Sequence, residues 1–96
     1  MQLEIITPDH KIFDGEATSV QLPGKNGLFE ILNDHAPIIS TLGSGEIRIN
    51  LVDSHKKMDD LHGAIVPDKS DEKVVRIAIN GGVIEMQNNK IIVLAD

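Results

Sequence analysis

Hydrophobic and polar residues alternate along much of this chain, with the period of two that is typical of half-buried β-strands. The segments GEIRINLV, residues 45–52, and VVRIAIN, residues 74–80, show the pattern most clearly. On each segment three aliphatic side chains share one face, and these are Ile47, Ile49, Leu51, Val75, Ile77 and Ile79. Polar residues occupy most of the opposite faces, so both segments are predicted strands with one face in the core.

Similar short apolar segments, separated by turn residues, predict strands elsewhere in the chain at residues 2–6, 17–22 and 28–32. A final hairpin over residues 81–96 is predicted to turn at Asn88-Asn89, because asparagine tolerates the positive φ of a type I′ turn. Four pairs of turn-forming residues punctuate the N-terminal half, and these are Pro8-Asp9, Asp14-Gly15, Pro23-Gly24 and Asn26-Gly27.

The composition supports the same fold class. Phe13 and Phe29 are the only aromatic residues, so the core must consist mainly of Ile, Leu and Val, which favour strands. No window of about eleven residues carries apolar side chains at helical spacing. We therefore expect an all-β fold, an antiparallel β-sandwich or flattened barrel of about eight to ten short strands. At this length residues 1–96 are expected to form one domain.

The segment at residues 53–73 differs from its surroundings because it is polar and charged and lies between two predicted strands. We interpret it as a long hairpin connection with a short strand at GAIV, residues 63–66. A connection of this length is either a functional loop or simply a mobile one.

Net charge and cysteine content exclude several classes of function. The formal net charge is -6, and no stripe of Lys and Arg with interleaved aromatic residues is present, so nucleic acid is not an expected partner. The chain has no cysteine, which excludes disulfides, thiolate metal sites and a thiol nucleophile. The N-terminus has no signal-peptide pattern, and the longest apolar run is residues 91–95, so we expect a soluble, cytoplasmic protein without membrane insertion.

The sequence NDHAPIIS, residues 33–40, places Asp34 beside His35 and then stiffens the backbone with Pro37. A small hydrolase could use Asp34, His35 and Ser40 as acid, base and nucleophile. Neighbouring residues on an extended chain point to opposite faces, however, which disfavours a bond between Asp34 and His35. A structural or partner-facing bend is therefore the favoured interpretation, and the hydrolase stays an alternative.

Other candidate sites for metals or phosphates are weaker. Acidic and histidine side chains gather in the polar segment, and these are Asp53, His55, Asp59, Asp60 and His62. Their spacing matches no compact zinc or calcium motif. The glycines near Lys25 and in residues 42–47 lack the residues and the following helix of a phosphate-binding loop, so we interpret them as turns. No metal and no cofactor is expected.

An apolar stretch surrounds the bend, formed by Leu28, Phe29, Leu32, Pro37, Ile38 and Ile39. A domain of this size cannot easily bury them all, and an exposed apolar patch usually marks a protein partner. A stand-alone β-sandwich binding module is therefore one alternative function.

Several short motifs occur in the same order as in one known family. They are Thr7-Pro8, Phe13, Gly15-Glu16, Leu22-Pro23-Gly24, Gly27, Ile31-Leu32, His35-Ala36-Pro37, Leu42, Gly45, Gly81-Gly82, Glu85 and the closing Val93-Leu94-Ala95-Asp96. In this order they resemble the N-terminal β-sandwich domain of the epsilon subunit of F-type ATP synthases, called delta in mitochondria. The resemblance covers residues 1–52 and 76–96.

The resemblance implies a non-catalytic subunit of the rotating central stalk, at the cytoplasmic face of the bacterial inner membrane. Such a subunit binds the gamma subunit and the c-subunit ring and helps to couple ion-driven rotation to ATP synthesis. Carried over by position, the residues expected to face gamma are Thr7, His35, Ala36, Pro37 and Ser40, with Thr7 beside the bend. The residues expected nearest the ring are Leu28, Phe29 and Glu30.

Three features depart from the family pattern. The sequence stops where most bacterial relatives continue into a C-terminal helical hairpin, so the inhibition and nucleotide binding of that hairpin are not expected here. Residues 53–75 are longer and more charged than the usual hairpin. Glu30 and Asn33 replace a glycine and a proline that are common near the ring-facing end.

Overall fold

Nine β-strands form the structure, a computed structural model that describes residues 1–59 and 61–96. The strands are β1 Gln2–Ile6, β2 Lys11–Gly24, β3 Gly27–Leu32, β4 Ile38–Leu42, β5 Gly45–Leu51, β6 Ile65–Pro67, β7 Val74–Ile79, β8 Gly82–Gln87 and β9 Lys90–Ala95. A single 3₁₀ turn occupies His55–Lys57. The predicted all-β sandwich is confirmed. Among the described residues, no helix has the length and apolar composition needed to cross a membrane.

The strands lie in two layers that share β2. One layer has the order β1-β9-β8-β4, and the other contains β3, β2, β5, β7 and β6 in that order. The first part of β2 pairs with β1, and its later part pairs with both β3 and β5. Among the described residues, every strand pairing is antiparallel except that of β1 with β9, which is parallel. The predicted antiparallel sandwich thus contains one parallel pair that the sequence pattern did not indicate.

The core lies between the layers and consists almost entirely of aliphatic side chains. Among the largest fully buried residues are Leu3, Ile5, Leu22, Ile31, Ile47, Ile49, Ile77, Ile84 and Ile91. The two strands with the clearest alternation, β5 and β7, bury the faces that their pattern predicts. The hairpin of β8 and β9 turns at Asn88 and Asn89, both with positive φ, as predicted.

Two of the predicted turns are wrong, because Asp14-Gly15 and Pro23-Gly24 lie within the 14-residue strand β2. A Cβ at Gly15 would be 3.1 Å from the Phe13 ring, and one at Gly24 would be 2.9 Å from the Phe29 ring. These glycines therefore allow close packing of the two phenylalanines rather than a reversal of the chain. Strand β4 is not among the predicted strands, because the adjacent residues Ile38 and Ile39 interrupt the alternation of apolar and polar positions.

The polar segment at residues 53–73 is ordered around Asp68. The Asp68 carboxylate accepts hydrogen bonds from the backbone amides of Ser70 and Asp71 and from the Ser70 hydroxyl, each at 2.8 Å. Its other oxygen lies 2.7 Å from Arg76 Nη1 on β7. The predicted short strand is β6, and Met58 packs against the core. The segment is thus tied to the sandwich at both ends.

Gly82 gives a prediction about stability. It has a φ of 153°, and a Cβ there would be 2.3 Å from the Leu94 carbonyl oxygen, which is backbone and cannot rotate away. We expect Gly82→Ala to lower the free energy of unfolding by about 2–4 kcal/mol. Gly63→Ala is the matched control, since nothing lies within 4 Å of that position. Urea unfolding of both variants measures the difference, and equal effects would contradict this account.

Asp68 gives a prediction about how the stability of the polar segment depends on its carboxylate and on pH. The Ser70 hydroxyl, then Arg76 and the backbone amides hold the pKa of the Asp68 carboxyl well below its usual range. Because the pKa is lower in the folded state, this contribution to stability is present above about pH 4 and is lost as the pH falls further. We expect Asp68→Asn to speed proteolysis within residues 53–73 at neutral pH. Glu72→Gln, an exposed change of equal charge, should have no such effect.

Candidate functional site

The bend at residues 33–37 is held against the β8–β9 turn by asparagine side chains. Asn89 Oδ1 accepts a hydrogen bond from the Asp34 amide at 2.8 Å, and Asn89 Nδ2 donates to Asn33 Oδ1 at 3.2 Å. The amino group of Met1 also donates to Asn33 Oδ1, at 3.0 Å. Asp34 has a φ of 61°, which aspartate tolerates better than most residues. The bend therefore has a defined shape before any partner arrives.

Asp34, His35 and Ser40 do not form a catalytic arrangement. His35 Nδ1 donates to the Ala36 carbonyl at 2.7 Å, and Ser40 Oγ donates to the Thr41 carbonyl at 3.3 Å. None of the hydrogen bonds among the described residues joins Asp34 to His35 or His35 to Ser40. The geometry gives the hydrolase alternative no support, and it presents His35 as an exposed ring on a fixed bend.

The two histidines of the polar segment are likewise engaged in local bonds. His55 Nε2 donates to the Asp68 carbonyl at 3.0 Å, and His62 Nδ1 accepts from the Ala64 amide at 3.0 Å. Within residues 1–59 and 61–96, no group of three or more such side chains is arranged to hold a metal ion. Asp60, named among the candidates, lies outside the described residues.

The outer surface of the four-strand layer carries two rows of mostly apolar side chains, with Glu85 among them. Strand register places Ile6, Leu94, Val83 and Thr41 in one row and Ile92, Glu85 and Ile39 in the next. Ile39 is 76% exposed, Leu94 54% and Val83 40%. We call this surface the Ile39 face. At its rim Glu4 lies within 4 Å of both Lys11 and Lys90, so ion pairs border the two rows.

The residues expected to face gamma lie at two ends of the Ile39 face. His35, Ala36 and Pro37 precede β4 and are exposed, whereas Thr7 follows β1 and is level with the other end of β4. The expectation that Thr7 lies beside the bend is therefore wrong, because the length of β4, about 15 Å, separates them. Ser40 is half-buried, since the side chains of its strand neighbours Ile39 and Thr41 point outward instead.

The end of the face near Thr7 contains a groove of about 650 Å³. Apolar and polar residues line it together, among them Ile6, Thr7, Lys25, Val83, Leu94 and Asp96. Thr7 closes the turn into β2, since its amide donates to the His10 carbonyl at 2.8 Å. The groove thus has fixed walls at the strand ends.

The residues expected nearest the ring lie on β3, in the other layer. Leu28 and Glu30 are exposed, whereas Phe29 is half-buried and packs against the core. Leu32 shares the outward side of the strand with Leu28 and Glu30. The apolar stretch around the bend is thus divided between the two layers.

Sequence reasoning missed Val83, Leu94, Ile6 and Ile92 as parts of an exposed face. One signal was available, because residues 91–95 are apolar without alternation. A strand of a two-layer sandwich has one face outside, so such a run must leave some apolar side chains uncovered.

Comparison with known proteins finds the same family in a family model and in individual relatives. Residues 1–67 match the sequence model of the family described as ATP synthase, Delta/Epsilon chain, beta-sandwich domain. The ATP synthase epsilon chain of Chlorobium limicola is 37% identical over 95 residues, which are 99% of this chain and 88% of that protein. That of Sulfurimonas denitrificans is 36% identical over 96 residues, 100% of this chain but 60% of that protein. These alignments include residues 53–75, which the motif comparison had left out.

Two solved structures share the fold. A chain in the central stalk and c-ring structure of the Tetrahymena thermophila mitochondrial ATP synthase has a TM-score of 0.71 at 15% identity. The match covers 99% of this chain and 62% of that one. A chain of the Euglena gracilis mitochondrial ATP synthase has a TM-score of 0.69 at 15% identity, covering 97% of this chain and 48% of that one.

The asparagine contacts of the bend can be tested without changing the turn. We expect Asn89→Gly, which keeps a positive φ but removes both side-chain bonds, to lower the free energy of unfolding by about 1–2 kcal/mol. Amide exchange at residues 33–37 should also become faster. Asn88→Gly is the matched control, with an expected change within about 0.5 kcal/mol. Equal exchange at the bend in both variants would show that Asn89 does not hold it.

Proposed function

The chain belongs to the delta/epsilon β-sandwich family of ATP synthase, and from this membership we propose that it is a non-catalytic subunit of the central stalk. In this role it turns with the stalk at the cytoplasmic face of the bacterial inner membrane, as a peripheral part of the complex. It helps to transmit the rotation of the ring to the catalytic subunits. Family membership is the observation that carries the proposal.

The Ile39 face, with the His35-Ala36-Pro37 bend at its edge, is the proposed contact with the gamma subunit. Exposed apolar side chains with charged residues among and around them are common in protein interfaces. Ile39 is the most exposed large apolar side chain of the described residues and is the second residue after the bend. Thr7 and its groove lie at the far end of the same face, so both groups of carried-over residues can contact one partner.

The exposed residues of β3 are the proposed contact with the c-subunit ring. Leu28 and Glu30 follow the turn at residues 25–26, which closes the end of the layer. The polar loops of a ring could meet this end while gamma covers the Ile39 face. In this arrangement Phe29 does not contact the ring directly but packs against the core and so fixes the position of β3.

Rigidity is what such a subunit needs physically. A part that transmits torque must not shear between its two contacts, and here both contacts belong to one hydrogen-bonded set of strands. Elements joined by backbone ladders and a packed core move together on the time scale of rotation more readily than loops do.

The gamma contact is tested with Ile39→Glu, which places a second charge beside Glu85 at the most exposed apolar position of the face without disturbing the core. We expect gamma capture by the purified chain to weaken at least tenfold, because an unpaired carboxylate must be desolvated. Val66→Glu is the matched control, since Val66 is 56% exposed but lies in the other layer. The double variant His35→Ala, Pro37→Ala should also weaken capture while the chain stays folded by circular dichroism. Undiminished capture by the Ile39 variant would refute this interface.

A further inference from the structure

Strand β3 has a free edge. Within the described residues it pairs only with β2, from Gly27 opposite Gly24 to Leu32 opposite Ser19. A free edge presents unpaired backbone amides and carbonyls, which another extended chain can use.

The position of Pro23 shows which backbone groups face that edge. Pro23 has no N–H, and its carbonyl accepts from the Gly43 amide, on the side of β2 away from β3. Alternate residues of a strand direct their backbone groups to opposite edges. The residues opposite Val20 and Leu22, which are Ile31 and Phe29, therefore bond to β2. Leu28 and Glu30 direct both their amides and their carbonyls to the free edge. Leu32 directs its amide to the same edge, whereas its carbonyl accepts from the His35 amide.

This edge lacks two of the usual protections against pairing with another strand, proline and lysine, although it carries the charge of Glu30. It carries no proline and no lysine, and its outward side chains Leu28 and Leu32 are 66% and 56% exposed. The edge at β6 differs, because it has only three residues and ends in Pro67. A free edge with two exposed leucines on either side of one glutamate is a candidate for a surface that is covered in the assembled state.

The charge of Glu30 distinguishes between two possible partners for this edge, a second copy of the chain and a strand of another polypeptide. Glu30 lies midway between Leu28 and Leu32 on the outward face. The two-fold antiparallel register that pairs all three of these residues between two copies would therefore place Glu30 opposite Glu30. Like charges directly opposite each other destabilise a strand pair, and the net charge of -6 adds to the repulsion between copies. A partner strand with a Lys or Arg between two apolar residues would instead place the basic side chain opposite Glu30 and an apolar side chain opposite each of Leu28 and Leu32.

We propose that β3 adds one extended strand of another polypeptide, with apolar, basic and apolar side chains at alternate positions, when the chain is assembled. The backbone groups of Leu28 and Glu30 supply the hydrogen bonds, and Glu30 selects the partner by charge. This inference deepens the proposed function, because the partner strand belongs to the ATP synthase complex.

Amide exchange compares the free chain with the detergent-solubilised ATP synthase, purified through a tag on another subunit. We expect the amides of Leu28 and Glu30 to exchange at least tenfold more slowly in the complex. If the chain co-purifies but these amides exchange equally fast in both states, the strand addition is wrong and the proposed function stands. If the chain does not co-purify, the proposed function itself fails. Protection in the free chain that grows with concentration would indicate self-pairing and also overturn the inference.

A pair of substitutions separates the backbone bond from the charge. Glu30→Pro removes the free-edge amide but no bond to β2, and Glu30→Gln removes only the charge. We expect the proline variant to enter the complex at least tenfold less well than the glutamine variant, with both folded by circular dichroism. Glu30→Lys should also incorporate poorly, whereas Glu46→Lys, exposed on β5, should not. Equal incorporation of the proline and glutamine variants would overturn the strand addition. Normal incorporation of Glu30→Lys would overturn the proposal that Glu30 selects the partner by charge.

Discussion

The sharing of β2 between the two layers is the constraint on which the rest of the structure depends. Its 14 residues pair first with β1 and then with β3 and β5, so one continuous backbone carries both sheets. The change of partner occurs around Ala17 and Ser19, where the register with β5 shifts by one residue. Such a bulge increases the local twist and lets one strand pass from layer to layer. Both proposed contact surfaces are therefore attached to the same strand.

Alternation predicted the strands that bury one clear face, because a period of two reports directly on burial. It did not predict β4, where Ile38 and Ile39 are adjacent and only the first is turned towards the core. It also could not distinguish a glycine in a turn from one beneath an aromatic ring, as at Gly15 and Gly24. Those distinctions depend on residues far apart in the sequence, which local patterns do not report.

The candidate site shows the same division between local and long-range information. The stiffness of the bend was predictable from Pro37, and the exposure of Ile39 followed from the excess of apolar residues around it. The separation of Thr7 from His35 was not, because it depends on the parallel pairing of β1 with β9. The contact from Asn89 to the bend was also hidden, since it joins residues 55 positions apart.

The bend at residues 33–37 connects the two proposed contact surfaces, the free edge of β3 and the Ile39 face. Five residues, 33–37, join β3, with its free edge, to β4, with the exposed Ile39. The bend cannot change shape without breaking the hydrogen bonds that Asn89 makes to Asp34 and Asn33. The acid and histidine that resemble a catalytic pair in the sequence are thus parts of a rigid connection. Its hydrogen bonds hold β3 and β4, which carry the two proposed contact surfaces, in a defined arrangement.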